Sequence, residues 1–137
     1  MLNQGYVGHS LPATDPVEIT VDAVAAFCEA LGQSGGQGVP ATFLISVTLP
    51  AADALINDPE FGLDFSRVLH REQKFTYRRP LKIGDVVTCT VTVESIKVVA
   101  GNELLTLRNE VHDADGSAVA SVTTTLFVAA EPAEDTA

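Results

Sequence analysis

The sequence is poor in basic residues, in cysteine and in long apolar runs. Lysine and arginine number 8 against 18 aspartates and glutamates, a formal net charge of −10. That balance disfavours a nucleic-acid partner, because binding phosphates needs a basic footprint. Cys28 and Cys89 are the only cysteines. One falls in a helical pattern and one in a strand pattern, each on the apolar face, so both read as buried thiols. No CxxC or Cys/His spacing suited to a metal occurs, and no cofactor is implied. Met1 to Ser10 lacks a basic stretch followed by an apolar one, so no signal peptide is read. No apolar run approaches the roughly 18 residues of a membrane span. A soluble cytoplasmic protein is expected.

What is present suits a single domain. The chain has 137 residues, 46% hydrophobic and 19% charged, enough to bury a core and too apolar for wholesale disorder. Asp15 to Gly32 reads as a helix with Thr20 as its N-cap, an apolar stripe through Val21, Val24, Phe27, Cys28 and Leu31, and Gly32 just past its end. Gln33 to Gly38 is a loop without an apolar anchor. Val39 to Ile56 is the most apolar segment, with a helical stripe of Leu44, Val47, Ala51, Ala54 and Leu55. Pro40 suits its first turn, whereas Pro50 predicts a kink or break. A strand over Thr42 to Leu49 competes, because that stretch is rich in strand formers.

Beyond the loop at Asn57 to Gly62 the hydrophobic period changes to two. In Val68 to Arg79, Leu69, Gln73, Phe75 and Tyr77 fall on one face, with His70, Glu72, Lys74, Thr76 and Arg78 on the other. Val86 to Ile96 alternates with Val87, Cys89, Val91 and Val93 inward. Ala100-Gly101-Asn102 turns the chain into Glu103 to Asp113, where Leu105, Leu107 and Val111 share a face. Asp115-Gly116 signals a hairpin into a last strand over Ser117 to Val128, and Glu131 to Ala137 is an acidic tail after a domain spanning residues 1–130. The order is helix, buried helix, then four antiparallel strands. This is an α+β layout in which a curved antiparallel sheet wraps a buried central helix, the hotdog arrangement. An uncovered edge strand would be sticky, so a dimer joining two sheets edge to edge is expected.

Particular strings carry a resemblance. His70-x-Glu72-Gln73-x-Phe75-x-Tyr77, followed by Arg79-Pro80 and Gly84-Asp85, resembles the MaoC-like dehydratase N-terminal domain family. That family includes the non-catalytic subunit of the mycobacterial (3R)-hydroxyacyl-carrier-protein dehydratase. Pro40-x-Thr42-Phe43 and the ending from Val111-His112-Asp113 to Val128 match as well, so the likeness runs over residues 5–129. It implies addition or removal of water across the α,β double bond of an acyl thioester. It also implies that a catalytic half carries an Asp and a His in a segment overhanging the buried helix, while backbone N–H groups at the helix start polarise the thioester carbonyl. The other half shapes the acyl tunnel.

Gln33 to Val39, where that pair would sit, contains no Asp, Glu or His. Fully extended it would span at most roughly 25 Å, too little for a folded overhang. Each general acid or base typically supplies about 10²–10⁴-fold, so the chain is expected to be nearly inert alone. The first reading is therefore an accessory, acyl-chain-binding subunit of an (R)-specific enoyl-thioester hydratase or 3-hydroxyacyl-thioester dehydratase. It would bind a coenzyme A or carrier-protein thioester and pair with a catalytic hotdog partner or a copy of itself. No residue is assigned as catalytic. Pro40, Ala41, Thr42, Phe43, Val47, Phe75, Arg78 and Arg79 are the substrate-binding candidates.

Two rivals stay open. One is a stand-alone acyl-thioester hydrolase or hydratase using His70, Glu72 or Asp53; the other is a non-enzymatic homodimer that binds acyl-CoA. His70 reads first as a structural or interface residue, and His9 and His112 as loop and turn histidines. Arg67, Arg71, Lys74, Arg78, Arg79 and Lys82 hold six of the eight basic side chains. They are either a solvated strand edge or a landing site for the phosphates of coenzyme A or phosphopantetheine.

Overall fold

The computed structural model describes residues 2–32, 39–40 and 42–130. The loop at 33–38, Ala41 and the tail at 131–137 lie outside the described residues. Among those described, a five-stranded sheet runs in the order β1-β3-β4-β5-β2, from strands β1 (Val17–Glu18), β2 (Val68–Tyr77), β3 (Val86–Val99), β4 (Asn102–Asp113) and β5 (Ala118–Val128). Every pairing is antiparallel. Helix α1 (Val21–Ala30) precedes two short helices, α2 (Ile45–Ala51) and α3 (Asp53–Ile56), which lie on the inner face of the curled sheet. This is the predicted α+β hotdog arrangement. No described helix is long and apolar enough to cross a membrane.

Alternation dictates the central strands. Val87, Cys89, Val91 and Val93 of β3 and Leu105, Leu107 and Val111 of β4 are all buried, as their period predicts. Both cysteines are free and buried, and burial pushes the Cys89 thiol up to about 11. The β3–β4 hairpin closes through Ala100 and Gly101, with φ of 52° and 83°. Two consecutive positive φ values are what a tight turn needs to match the strands' twist.

Three sequence expectations are corrected. The first helix begins at Val21 rather than Asp15, because Val17 and Glu18 pair with Val87 and Val86 as an edge strand. Ile19 extends that edge, exchanging hydrogen bonds with the Gly84-Asp85 turn at 2.7 Å each. The Thr20 hydroxyl then caps the helix, accepting from the Ala23 N–H at 3.1 Å.

The second correction concerns the central segment. It is helical rather than extended, but the α-helix starts at Ile45. Ahead of it lie tight turns in which the Phe43 N–H donates to Pro40 O at 3.0 Å and the Ile45 N–H to Thr42 O at 3.1 Å. Pro50 lies inside α2, and the helix is interrupted two residues later at Ala52.

The third correction lies in β2. Its register with β5 slips between His70 and Glu72. One extra residue in a strand reverses the facing of everything before it. Gln73, Phe75 and Tyr77 share one face as predicted, the inward one, but Val68 and His70 also lie on it, opposite the buried Val128 and Leu126. Leu69, predicted to share the face of Phe75 and Tyr77, is 65% exposed.

The core joins helix to sheet through Phe43, Leu44, Val47 and Leu55, with Phe27 of α1 edge-on to Phe43 at 5.4 Å. Leu44 is fully buried. Leu44→Ala is expected to destabilise the fold by about 2–5 kcal/mol, measured as a lower urea midpoint with unchanged m-value.

Candidate functional site

The larger cavity, about 390 Å³, lies where the central segment begins. Val39 and Pro40 form one wall, and the end of β2 with its following turn, Tyr77 to Leu81, forms the other. Its described lining holds a phenol and two guanidinium groups but neither a carboxylate nor an imidazole. Burial pushes the Tyr77 phenol up to about 12, so at neutral pH it stays protonated. Its ring stacks on Phe75 at 6.4 Å.

The two arginines divide their work. Arg79 donates through Nη1 to Asp85 Oδ2 at 2.8 Å and to Pro80 O at 3.0 Å, and through Nη2 to Asp113 Oδ2 at 3.4 Å. Asp85 also accepts from the Lys82 N–H at 2.8 Å. Its hydrogen bond from Arg79 holds the carboxyl below the usual range. Asp113 is held low first by the Ser117 N–H, with Asp115 N–H and Arg79 adding to it. The carboxylate beside His112 thus goes to Arg79 and the hairpin amides. Arg78 is exposed at the cavity wall, its backbone N–H bonded to Val119 O at 2.8 Å.

A second cavity, about 190 Å³, lies under α2 and α3 on the inner face of the sheet. Leu49, Ile56, Val68, Leu107 and Leu126 give it apolar walls, and Thr48, Asn109, Thr124 and His70 also line it. Asn109 Nδ2 donates to Val122 O at 2.9 Å, and Thr124 Oγ1 donates to Gln73 Oε1 at 3.1 Å. Thr48 Oγ1, Asn109 Oδ1 and Gln73 Nε2 are buried without a hydrogen-bonding partner among the described residues.

The family model for the FAS1-like dehydratase domain region matches residues 33–122. The chain belongs to this dehydratase-region family. A UPF0336 protein of Streptomyces coelicolor is 43% identical over 144 residues, covering 94% of this chain and 96% of that protein. One from Streptomyces avermitilis is 41% identical with the same coverage. Among solved structures, the HadBC (3R)-hydroxyacyl-ACP dehydratase complex of Mycobacterium tuberculosis is similar in fold, with TM-score 0.77, 17% identity, and coverage of 89% of this chain and 96% of that one. A MaoC-like dehydratase gives TM-score 0.80 at 22% identity, covering 93% of this chain and 43% of that one.

In this dehydratase-region domain the predicted binding residues separate into groups. Pro40, Arg78 and Arg79 meet at the larger cavity. Phe43 and Val47 are buried core, Thr42 is exposed, Phe75 is half-buried beside Tyr77, and Ala41 lies outside the described residues. The acid–base candidates do not converge. His70 borders the second cavity, Glu72 is exposed beyond the bulge, and Asp53 is exposed on α3. The basic stretch is not one patch, since Arg67 pairs with Asp64 at 3.2 Å while Arg79 is held by two aspartates. Sequence reasoning missed Tyr77, Thr48 and Asn109 as lining residues. Asn109 had a signal: it is a polar residue at an inward position between Leu107 and Val111.

Asp85→Asn is expected to lower stability at pH 7 by about 1–2 kcal/mol, the worth of a partly exposed charge-assisted bond. The Asp85 carboxyl titrates lower folded than unfolded. Its contribution is therefore complete above the unfolded pKa, roughly 3.9, and lost as pH falls through the folded one. Urea titrations of both proteins should show the gap at pH 7 closing in that acid window.

Proposed function

We propose that this chain is the acyl-chain-holding, non-catalytic half of an (R)-specific enoyl-thioester hydratase or 3-hydroxyacyl-thioester dehydratase. The observation that carries this is the build of the helix start. Hydrating an enoyl thioester needs a base for the water, an acid for the α-carbon, and donors on the carbonyl oxygen. Here the amides of Phe43 and Ile45 already bond to Pro40 O and Thr42 O. The described lining beside them brings no proton-transferring carboxylate or imidazole, and the sequence from Gln33 to Val39 contains none. The same cavity suits a binding role, with apolar walls from Val39, Pro40, Pro80 and Leu81 for an acyl thioester and Arg78 for an anionic carrier.

A catalytic hotdog partner supplies the missing acid and base. The outer strand β2 is the place for it: β2 pairs only with β5 among the described strands, and Phe65 and Leu69 stand 64% and 65% exposed beside it. In the MaoC-like dehydratase with TM-score 0.80, the matched part is 43% of the chain, leaving length for a second unit of this size.

The isolated chain is expected to hydrate crotonyl-CoA no faster than buffer, and adding a hotdog partner that carries the Asp/His pair should produce turnover. Robust turnover by the isolated chain rejects the proposal. Titration with octanoyl-CoA should show saturable binding that weakens with added salt. Arg78→Ala should loosen it roughly two- to fivefold at low ionic strength, as expected for one exposed charge contact.

A further inference from the structure

We infer that Leu2 to Leu11 form a latched strap, which opens and closes as one unit over an intact sheet, with the Glu103 carboxylate as its latch. Glu103 stands at an inward position of β4, in the phase of Leu105, Leu107 and Val111, and is 5% exposed. No cation pairs with it among the described residues. Both of its oxygens accept from the Leu2 N–H, at 3.0 and 3.1 Å. A carboxylate serves no packing purpose at such a position, and the Leu2 amide is the use it is put to. Its cross-strand neighbours are Val98 and Val128. Val98 is 51% exposed, so this end of the sheet lies near the surface, and the buried Leu2 closes over it.

Past Leu2 the strap is lightly held. From Asn3 to Leu11 no residue is fully buried. Tyr6, half-buried, donates to Asp58 Oδ2 at 2.7 Å and lies over Phe61 with ring centres 5.0 Å apart. Backbone bonds supply much of the remaining hold. The Asn3 N–H donates to Phe61 O at 2.9 Å, the Gly8 and Leu11 N–H groups to Val93 O and Val91 O at 2.8 Å each, and the Val93 N–H to His9 O at 3.0 Å. Beneath the strap, the space between Tyr6 and Leu11 above and Leu55 and Val93 below is open rather than close-packed. Few buried contacts and solvent-exposed backbone bonds mark a segment that opens without global unfolding. These bonds follow one strand edge and end on one latch, so they break together. Opening bares the outer edge of β3 at Val91 and Val93 and leaves the β3–β4 and β4–β5 ladders paired. The strap does not depend on the acyl-holding reading.

The test is amide hydrogen exchange on the full chain, ¹⁵N-labelled and followed by NMR. The Gly8, Leu11 and Val93 amides should share one protection factor, about 100-fold or more below that of the slowest β4–β5 ladder amides. Val93 is the telling one, since it belongs to the sheet yet should exchange with the strap. Glu103→Ala leaves the Leu2 N–H without its acceptor. It should speed exchange at all three amides by roughly tenfold, the worth of one buried hydrogen bond, and leave the β4–β5 amides unchanged. Three unrelated rates, or protection at Gly8, Leu11 and Val93 equal to that of the β4–β5 ladder, overturn the inference. So does Glu103→Ala with no effect on the strap, or with the same acceleration throughout the sheet, which is the result for a residue that only supports the fold. Should Glu103→Ala fail to fold, Tyr6→Phe removes the bond to Asp58 and should speed the same three amides alone; the comparison within the unmodified chain stands in either case.

Discussion

The structure depends on burying one apolar segment against the hollow of a curled sheet. Phe43, Leu44, Val47 and Leu55 meet the inward residues of β3, β4 and β5, and few of these side chains retain any contact with water. Fully burying each side chain of that size contributes about 1.5–3 kcal/mol. An antiparallel sheet with only one covered face needs such an occupant. The sheet's curl, the placement of both cavities and the seat of α1 through Phe27 on Phe43 follow from that packing.

A second constraint ties the periphery to this core. Arg79 joins the end of β2 to the Gly84-Asp85 turn and to the β4–β5 hairpin through two aspartates. The Gly84-Asp85 turn also bonds Ile19 on the edge beyond β1. The string Arg79-Pro80 with Gly84-Asp85 is thereby accounted for as scaffold. An arginine held by two carboxylates has little charge left for a phosphate, which leaves Arg78 as the cation beside the larger cavity. Both arginines follow the end of β2 and line the cavity, but Arg79 is engaged by two aspartates while Arg78 is exposed at the wall.

The two cavities differ in what they offer chemistry. The one at the helix start is open, apolar and cationic, with the nearby amides of Phe43 and Ile45 already bonded. The one under the helices is smaller and holds unpaired polar atoms within apolar walls. Leaving each of those atoms unsatisfied costs about 1–3 kcal/mol.

The sequence by itself determined the hotdog layout, the inward phase of β3 and β4, the Thr20 cap and the helix-breaking effect of Pro50. Each is a local property: alternation, a capping hydroxyl, a missing N–H. It also displayed the lack of Asp, Glu and His between Gln33 and Val39. Tertiary structure alone decided that Val17 and Glu18 join a strand rather than a helix, since their partners Val87 and Val86 are remote in sequence. It also decided which way His70 and Leu69 face. The residues around a bulge look locally like any other strand residues, and the slip exists only in the register between β2 and β5. The cavity lined by Thr48, Asn109 and His70 depends on that slip, because it brings together three segments that no spacing along the chain relates.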